Sequence, residues 1–256
     1  MIQLPEKIIA IKEEGHQALF EISPLYPGYG VTIGNALRRT LLSSIEGSAI
    51  TTVKIKGVSH EFSTIDGVME NVIEILMNVK KIRLKSFSDE PVTLQLKVNG
   101  EKEVTAKDIK AASNVEITNK NQHIATLTDK KSELEIEFTV ERGIGYVPVE
   151  QRQKEKISVG TLAIDAIFSP VRNVNFTVEN IRVGQRTDYN KILLEIETDG
   201  TVNPRNALIK SVKILLEQLS VVKQELGEET EENISEQGNE DGEDGKKKSP
   251  KTKKKK

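Results

Sequence analysis

The chain of 256 residues alternates apolar and polar positions with period two in six places, which predicts strands with one buried face. They are Phe20-Ile22, Val53-Ile55, Val92-Leu94-Leu96-Val98, Leu134-Ile136-Phe138-Val140, Val174-Phe176-Val178 and Ile192-Leu194-Ile196. Asn99-Gly100 follows the third, and because both residues tolerate positive φ the dipeptide predicts a tight hairpin. Elsewhere the period changes. Ile33, Leu37, Leu41 and Ile45 recur every four residues behind Thr32, which predicts a short amphipathic helix with Thr32 as its N-cap. Val68, Met69, Val72, Ile73, Leu76 and Val79 form a second helical stripe over 66–81. A third helix starts at Asn203-Pro204, an N-cap followed by proline at the first helical position, and runs to Leu226 before Gly227 supplies a stop.

In this third helix Leu208, Val212, Leu215, Leu219, Val222 and Leu226 are spaced alternately four and three apart, an a/d seam. Ile209, Ile214, Leu216 and Val221 lie off that seam, so the helix is apolar on more than one side. Two readings fit: burial in one core, or a seam shared with a second chain.

Past Gly227 the pattern ends. Glu228–Asp244 is an acidic block and Lys246–Lys256 a basic one, together holding nine acids, eight lysines and a single aliphatic residue, Ile234. Such a composition cannot bury enough apolar area to offset chain entropy, so 227–256 is expected to be a disordered charged tail. The remaining 226 residues carry 29 basic and 30 acidic groups, a balance with no bulk electrostatic pull toward nucleic acid. The absence of cysteine excludes disulfides, thiolate nucleophiles and Cys-based metal sites. His16, His60 and His123 are far apart in sequence, and none has a metal-ligand partner at helical spacing. No stretch reaches the roughly 18 apolar residues of a membrane span, and residues 1–15 lack the basic start and apolar run of a signal peptide. A cytoplasmic protein without cofactors is the expectation.

Candidate chemistry is sparse. Gly28, Gly30 and Gly34 precede or open the first helix, but their spacing departs from the phosphate-binding fingerprints, leaving a tight turn into the helix as the better reading. Gly143-Ile144-Gly145 ends a strand and starts a loop. There is no nucleophile elbow and no Asp-x-Asp in the body, so an autonomous nucleotidyl-transferring enzyme, which needs acidic ligands for its Mg²⁺ ions, is disfavoured. Arg38 and Arg39 project about 100° apart from the first helix, so they cannot share one role. Each is either a solvated arginine or an interface arginine.

Gly30–Ser44 (GVTIGNALRRTLLSS) resembles the assembly domain of the α subunit of bacterial and plastid DNA-directed RNA polymerase. The likeness continues, in the family's order, through His60–Asn78 (HEFSTIDGVMENVIEILMN), Val140–Pro148 (VERGIGYVP), Ser169–Val171 (SPV), Arg182–Asp188 (RVGQRTD) and Glu197–Pro204 (ETDGTVNP). Together these span Pro5 to about Glu225. The resemblance implies an α+β fold: a discontinuous dimerisation domain, here 1–48 plus 168–226, and an inserted mixed, strand-rich domain, 49–167. It implies a homodimer through the first and third helices, with Ile33, Leu37, Leu41, Leu208, Val212, Leu215, Leu219 and Val222 at the interface. It implies a non-catalytic scaffold that receives the two large catalytic subunits, beta and beta′, with omega and sigma joining in the full enzyme. Arg39 and Leu42 match positions that meet beta. Ser169, Pro170, Val171, Arg182, Arg186 and Asp188 fall in the region associated with beta′. The competing reading is a free-standing dimeric binding protein that reuses the fold.

At the C-terminus the likeness stops. Family members continue into a compact helical domain that binds upstream promoter DNA, and the charged tail stands in its place here, so promoter contact by such a domain is not expected. DNA contact is expected through the assembled enzyme and, without sequence preference, through the lysine run. The bacterial cytoplasm or the plastid stroma is the implied location.

Overall fold

A computed structural model describes residue 2, residues 4–152 and residues 160–226. The chain opens with β1 (Lys7–Glu14), β2 (Gln17–Leu25), α1 (Tyr29–Ser43) and β3 (Glu46–Ile55). Then come α2 (Val72–Val79), β4 (Leu84–Ser86), β5 (Val92–Asn99), β6 (Lys102–Thr105), β7 (Ile109–Lys110), β8 (Val115–Ile117), β9 (His123–Leu127), β10 (Glu133–Ile144) and β11 (Tyr146–Val147). The one-turn α3 (Val149–Arg152), β12 (Thr161–Ala163), β13 (Ala166–Ile167), the long pair β14 (Val171–Val183) and β15 (Arg186–Thr198), and α4 (Pro204–Glu225) complete it. Helices combined with antiparallel sheets make this an α+β protein.

Strands from the two ends of the chain share one sheet, in the order β1-β2-β15-β14. Ala18, Phe20 and Ile22 stand opposite Ile196, Leu194 and Ile192, and all six are buried. Their period-two spacing puts every one on the same face. Helix α1 packs against β14 and β15 of this sheet. The second sheet runs β7-β5-β10-β3-β4-β8, with β12 added to β3. Its central strand β10 sets Ile136 and Phe138 opposite Leu96 and Leu94 on one side and opposite Ile55 and Val53 on the other. The apolar side of α2, Val72, Ile75, Leu76 and Val79, joins the same core. The boundary expected between residues 48 and 49 falls inside β3, which pairs with β10 from Glu46 to Ile55. Residues 1–214 form one unit, and a second begins at Leu215 within α4.

Several local expectations are corrected. Helix α1 starts at Tyr29, and its N-cap is Gly28 at φ 87°, not Thr32, whose hydroxyl lies 3.4 Å from the Gly28 carbonyl inside the helix. In the 66–81 stripe only Val72–Val79 is helical. Asn71 and Glu74 cap it reciprocally, while the Met69 N–H donates to the Thr126 carbonyl (2.9 Å) and Val68 bridges to Leu127, so β9 claims the backbone ahead of the helix. Asn99-Gly100 makes no hairpin. Gly100 does take φ 81°, yet its N–H donates to Ser132 (2.9 Å), and the flanking strands diverge, β5 to β10 and β7, β6 to β9. The Asn203 cap is present, its Oδ1 accepting the Arg205 N–H at 2.8 Å. The helix stop at Gly227 and the charged tail lie outside the described residues.

Candidate partner-binding surface

Helix α1 is seated by long-range contacts. The side chain of Asn190, on β15, presents Oδ1 to the N–H groups of Gly28 (2.9 Å) and Gly30 (3.3 Å), and its Nδ2 donates to Asn180 on β14 (3.1 Å). Asn190 therefore fills the place at the helix N-terminus that an anion would take. A Cβ on Gly30 would lie 2.7 Å from Val178, and one on Gly34 would lie 2.6 Å from the Phe176 ring. These glycines let the helix backbone settle onto β14. The glycine pattern serves packing.

That packing decides which α1 side chains remain available. Leu37 (4% exposed) and Leu41 (0%) are buried within the protomer, as is Leu208 (8%) on α4, so these three expected interface residues have no surface left for a second copy. Ile33 is half-buried. On the outer side Arg38 and Arg39 are exposed, and neither guanidinium has a hydrogen bond or ion pair among the described residues. Leu42, three residues after Arg39 and so on its face, is half-buried.

The expected beta′ positions divide in two. Ser169 Oγ lies 3.2 Å from both the Leu42 and the Val171 carbonyls, fastening the end of α1 to the start of β14, while Pro170 and Val171 are buried. Pro170 and Val171 are thus corrected to internal roles, because their side chains pack into the protomer. Arg182, Arg186 and Asp188 instead stand exposed at the β14–β15 hairpin, whose two-residue turn has Gly184 at φ 62°. Arg182 Nε donates to the Gly184 carbonyl (2.9 Å). Arg186 grips Asp188 with Nε (3.0 Å) and Nη2 (2.7 Å), which holds the Asp188 carboxyl below and the Arg186 guanidinium above their usual values.

Helix α4 carries the largest run of exposed aliphatics. Its first turns bury Pro204, Ala207, Leu208 and Ser211, whereas Ile209 and Val212 are exposed. In the unit starting at Leu215, that residue is half-buried, and Leu216, Leu219, Val221, Val222 and Leu226 are exposed, Leu219 by 64%. Among the described residues no group of three His, Asp or Glu side chains is arranged to hold a metal ion, and no helix is long and apolar enough to cross a membrane. His123 lies between Glu70 (2.8 Å) and Glu103 (3.1 Å).

Sequence reading missed Asn190, whose partners at the start of α1 are 160 and 162 residues away with no local signal, and three tyrosines. Tyr26 meets Tyr29 and Tyr189 edge to face, and Arg186 lies against the Tyr26 and Tyr189 rings. Tyr189 follows the hairpin motif directly, and that adjacency was the available clue.

A family model described as the RNA polymerase Rpb3/RpoA insert domain matches residues 53–169. Among curated relatives, the DNA-directed RNA polymerase subunit alpha of Roseiflexus castenholzii is 51% identical over 211 residues, covering 82% of this chain and 65% of that protein. The subunit of the same name from Symbiobacterium thermophilum is 47% identical over 213 residues, with 83% and 67% covered. That from Lawsonia intracellularis is 50% identical over 202 residues, with 79% and 58% covered. The chain thus spans about two thirds of the length of the first relatives it matches. With about half its residues identical over some four fifths of its length, the chain belongs to the DNA-directed RNA polymerase subunit alpha family.

Proposed function

We propose that this chain is a non-catalytic scaffold of a DNA-dependent RNA polymerase, working in the cytoplasm or plastid stroma and binding no cofactor itself. Two copies dimerise, and the dimer captures the beta and beta′ subunits that carry out RNA synthesis, before omega and sigma complete the enzyme. The observation that carries this reading is the row of exposed aliphatic residues along α4 in a protein of this family. Ile209, Val212, Leu216, Leu219 and Val222 would be a solubility liability on a monomer and are accounted for by a second copy.

In this account Ile33, Val212, Leu215, Leu219 and Val222 bury against the partner. Arg39 and Leu42 of one protomer meet beta, and the hairpin bearing Arg182, Arg186 and Asp188 on the other protomer meets beta′. A symmetric dimer offers both surfaces twice, so binding of two different large subunits breaks the symmetry. DNA is reached through the assembled enzyme, with the lysine run 246–256 adding salt-sensitive, sequence-independent attraction. A free-standing dimeric binding protein gains no support from the relatives, which bear the polymerase subunit's name.

Sedimentation of the full chain tests the dimer. Burying a leucine contributes roughly 1.5–3 kcal/mol, and a symmetric seam counts each substitution twice. Leu219→Asp should therefore give a folded monomer at micromolar concentration where the unmodified chain is a dimer. A monomeric unmodified chain would overturn the reading.

A further inference from the structure

The β14–β15 hairpin holds one side chain far more firmly than its exposure requires. Arg186 is half-exposed, with 51% of its side chain accessible, yet it is fixed from three sides. Asp188 takes two of its N–H groups, and the rings of Tyr26 and Tyr189 lie 5.6 and 5.5 Å from the guanidinium carbon. Tyr26 in turn meets Tyr189 edge to face at 6.1 Å and Tyr29 at 6.3 Å, and Tyr29 is itself 40% exposed. Two tyrosines thus hold one arginine, Tyr189 from β15 and Tyr26 from the turn between β2 and α1, and Tyr29 at the start of α1 packs on Tyr26.

An exposed ion pair adds little to stability, so fold stability alone does not explain this convergence. Binding does. Ordering a long arginine side chain on docking is costly, and an arginine already held between rings and a carboxylate avoids that cost. Tyrosine and arginine are also the residue types that most often dominate binding at protein interfaces. Asp188 cancels most of the guanidinium's charge.

We propose that Tyr26 and Tyr189, with Arg186 fixed between them and Tyr29 packed on Tyr26, form a preassembled anchor for the beta′ subunit, a part of that surface outside the hairpin motif. This rests on the reading of the hairpin as the beta′ surface. The matching partner surface is largely apolar. Because the anchor is nearly neutral, the affinity it supplies depends little on salt.

The test titrates beta′ onto the preformed complex of the full-length dimer with beta. Tyr26→Ala and Tyr189→Ala should each weaken beta′ capture by roughly 30-fold, the scale of an interface hot spot, with dimerisation, beta capture and melting temperature unchanged. Tyr26→Phe, which keeps the ring, should retain most of the capture, and the loss in Tyr26→Ala should be similar at low and high salt. Arg182→Ala separates the two levels of the argument. If it weakens capture while both tyrosine variants bind like the unmodified chain, the surface is right and the anchor is wrong. If neither Arg182→Ala nor the tyrosine variants has any effect, the hairpin is not the beta′ surface and both readings fall. Capture lost only in proportion to a fall in melting temperature would show a structural role and overturn the anchor.

Discussion

Gly34→Ala reverses the usual sign of its substitution class. In an open helix interior, replacing glycine by alanine stabilises by about 1 kcal/mol, because alanine has less backbone freedom to lose. At Gly34 the added Cβ would sit 2.6 Å from two carbons of the Phe176 ring and 3.1 Å from a third. Carbon–carbon contacts settle near 3.5–4.0 Å, so either α1 lifts from β14 by about 1 Å or Phe176 leaves its rotamer. Overpacking of this kind costs about 1–3 kcal/mol, and Phe176 is only half-buried, which gives the ring some room to yield. Set against the propensity gain, the net change is a destabilisation of about 1 kcal/mol. In thermal denaturation at fixed protein concentration that corresponds to a fall of about 2–4 °C. Adding Phe176→Leu to Gly34→Ala should recover part of the loss, a coupling of at least about 0.5 kcal/mol in a double-mutant cycle. A higher melting temperature for Gly34→Ala, or strict additivity with Phe176→Leu, would refute the claim that the glycines exist to bring α1 against β14.

Asn190→Ala leaves the N–H groups of Gly28 and Gly30 without their acceptor and should destabilise by about 2–4 kcal/mol, measured by urea denaturation. Arg39→Ala should change stability by less than about 0.5 kcal/mol yet weaken beta capture by about 2 kcal/mol, while Arg38→Ala, on another face of α1, leaves capture intact; equal effects would remove the argument from helix facing. Lys80 (2.8 Å) and the Val149 N–H (3.1 Å) hold the Asp165 carboxyl below its ordinary value of 3.8, so its stabilisation is present above that value and is lost as pH falls through the lowered one. Asp165→Asn should accordingly flatten the loss of stability on acidification below about pH 4, followed by circular dichroism, with little change in slope between pH 6 and 8.

The strands were readable because each buries one face, and a buried face leaves its period in the chain: all six alternating segments lie within β2, β3, β5, β10, β14 and β15. The start of α4 was readable because Asn203 and Pro204 act on their own neighbours. The start of α1 was not, since the acceptor for the Gly28 and Gly30 N–H groups is a side chain on β15, and no window around Gly28 contains Asn190. Asn99-Gly100 shows a related limit: the dipeptide specifies a local backbone turn, and the strands that flank it choose partners by their own apolar faces. The interface set failed in part for a further reason. A stripe of Leu37 and Leu41 announces a buried face without saying which chain buries it, and here the protomer's own sheet does. The hairpin arginines were named from a motif, whereas the tyrosines that hold Arg186 come from two separate segments that meet only in the fold.

Native mass measurement of the species formed when the full-length chain is co-produced with beta and beta′ tests the scaffold account most directly. The account predicts two copies of this chain with one beta and one beta′, and, for the Leu219→Asp chain, loss of that four-chain species. A complex containing a single copy of this chain, or purification of the dimer with neither large subunit attached, would contradict it.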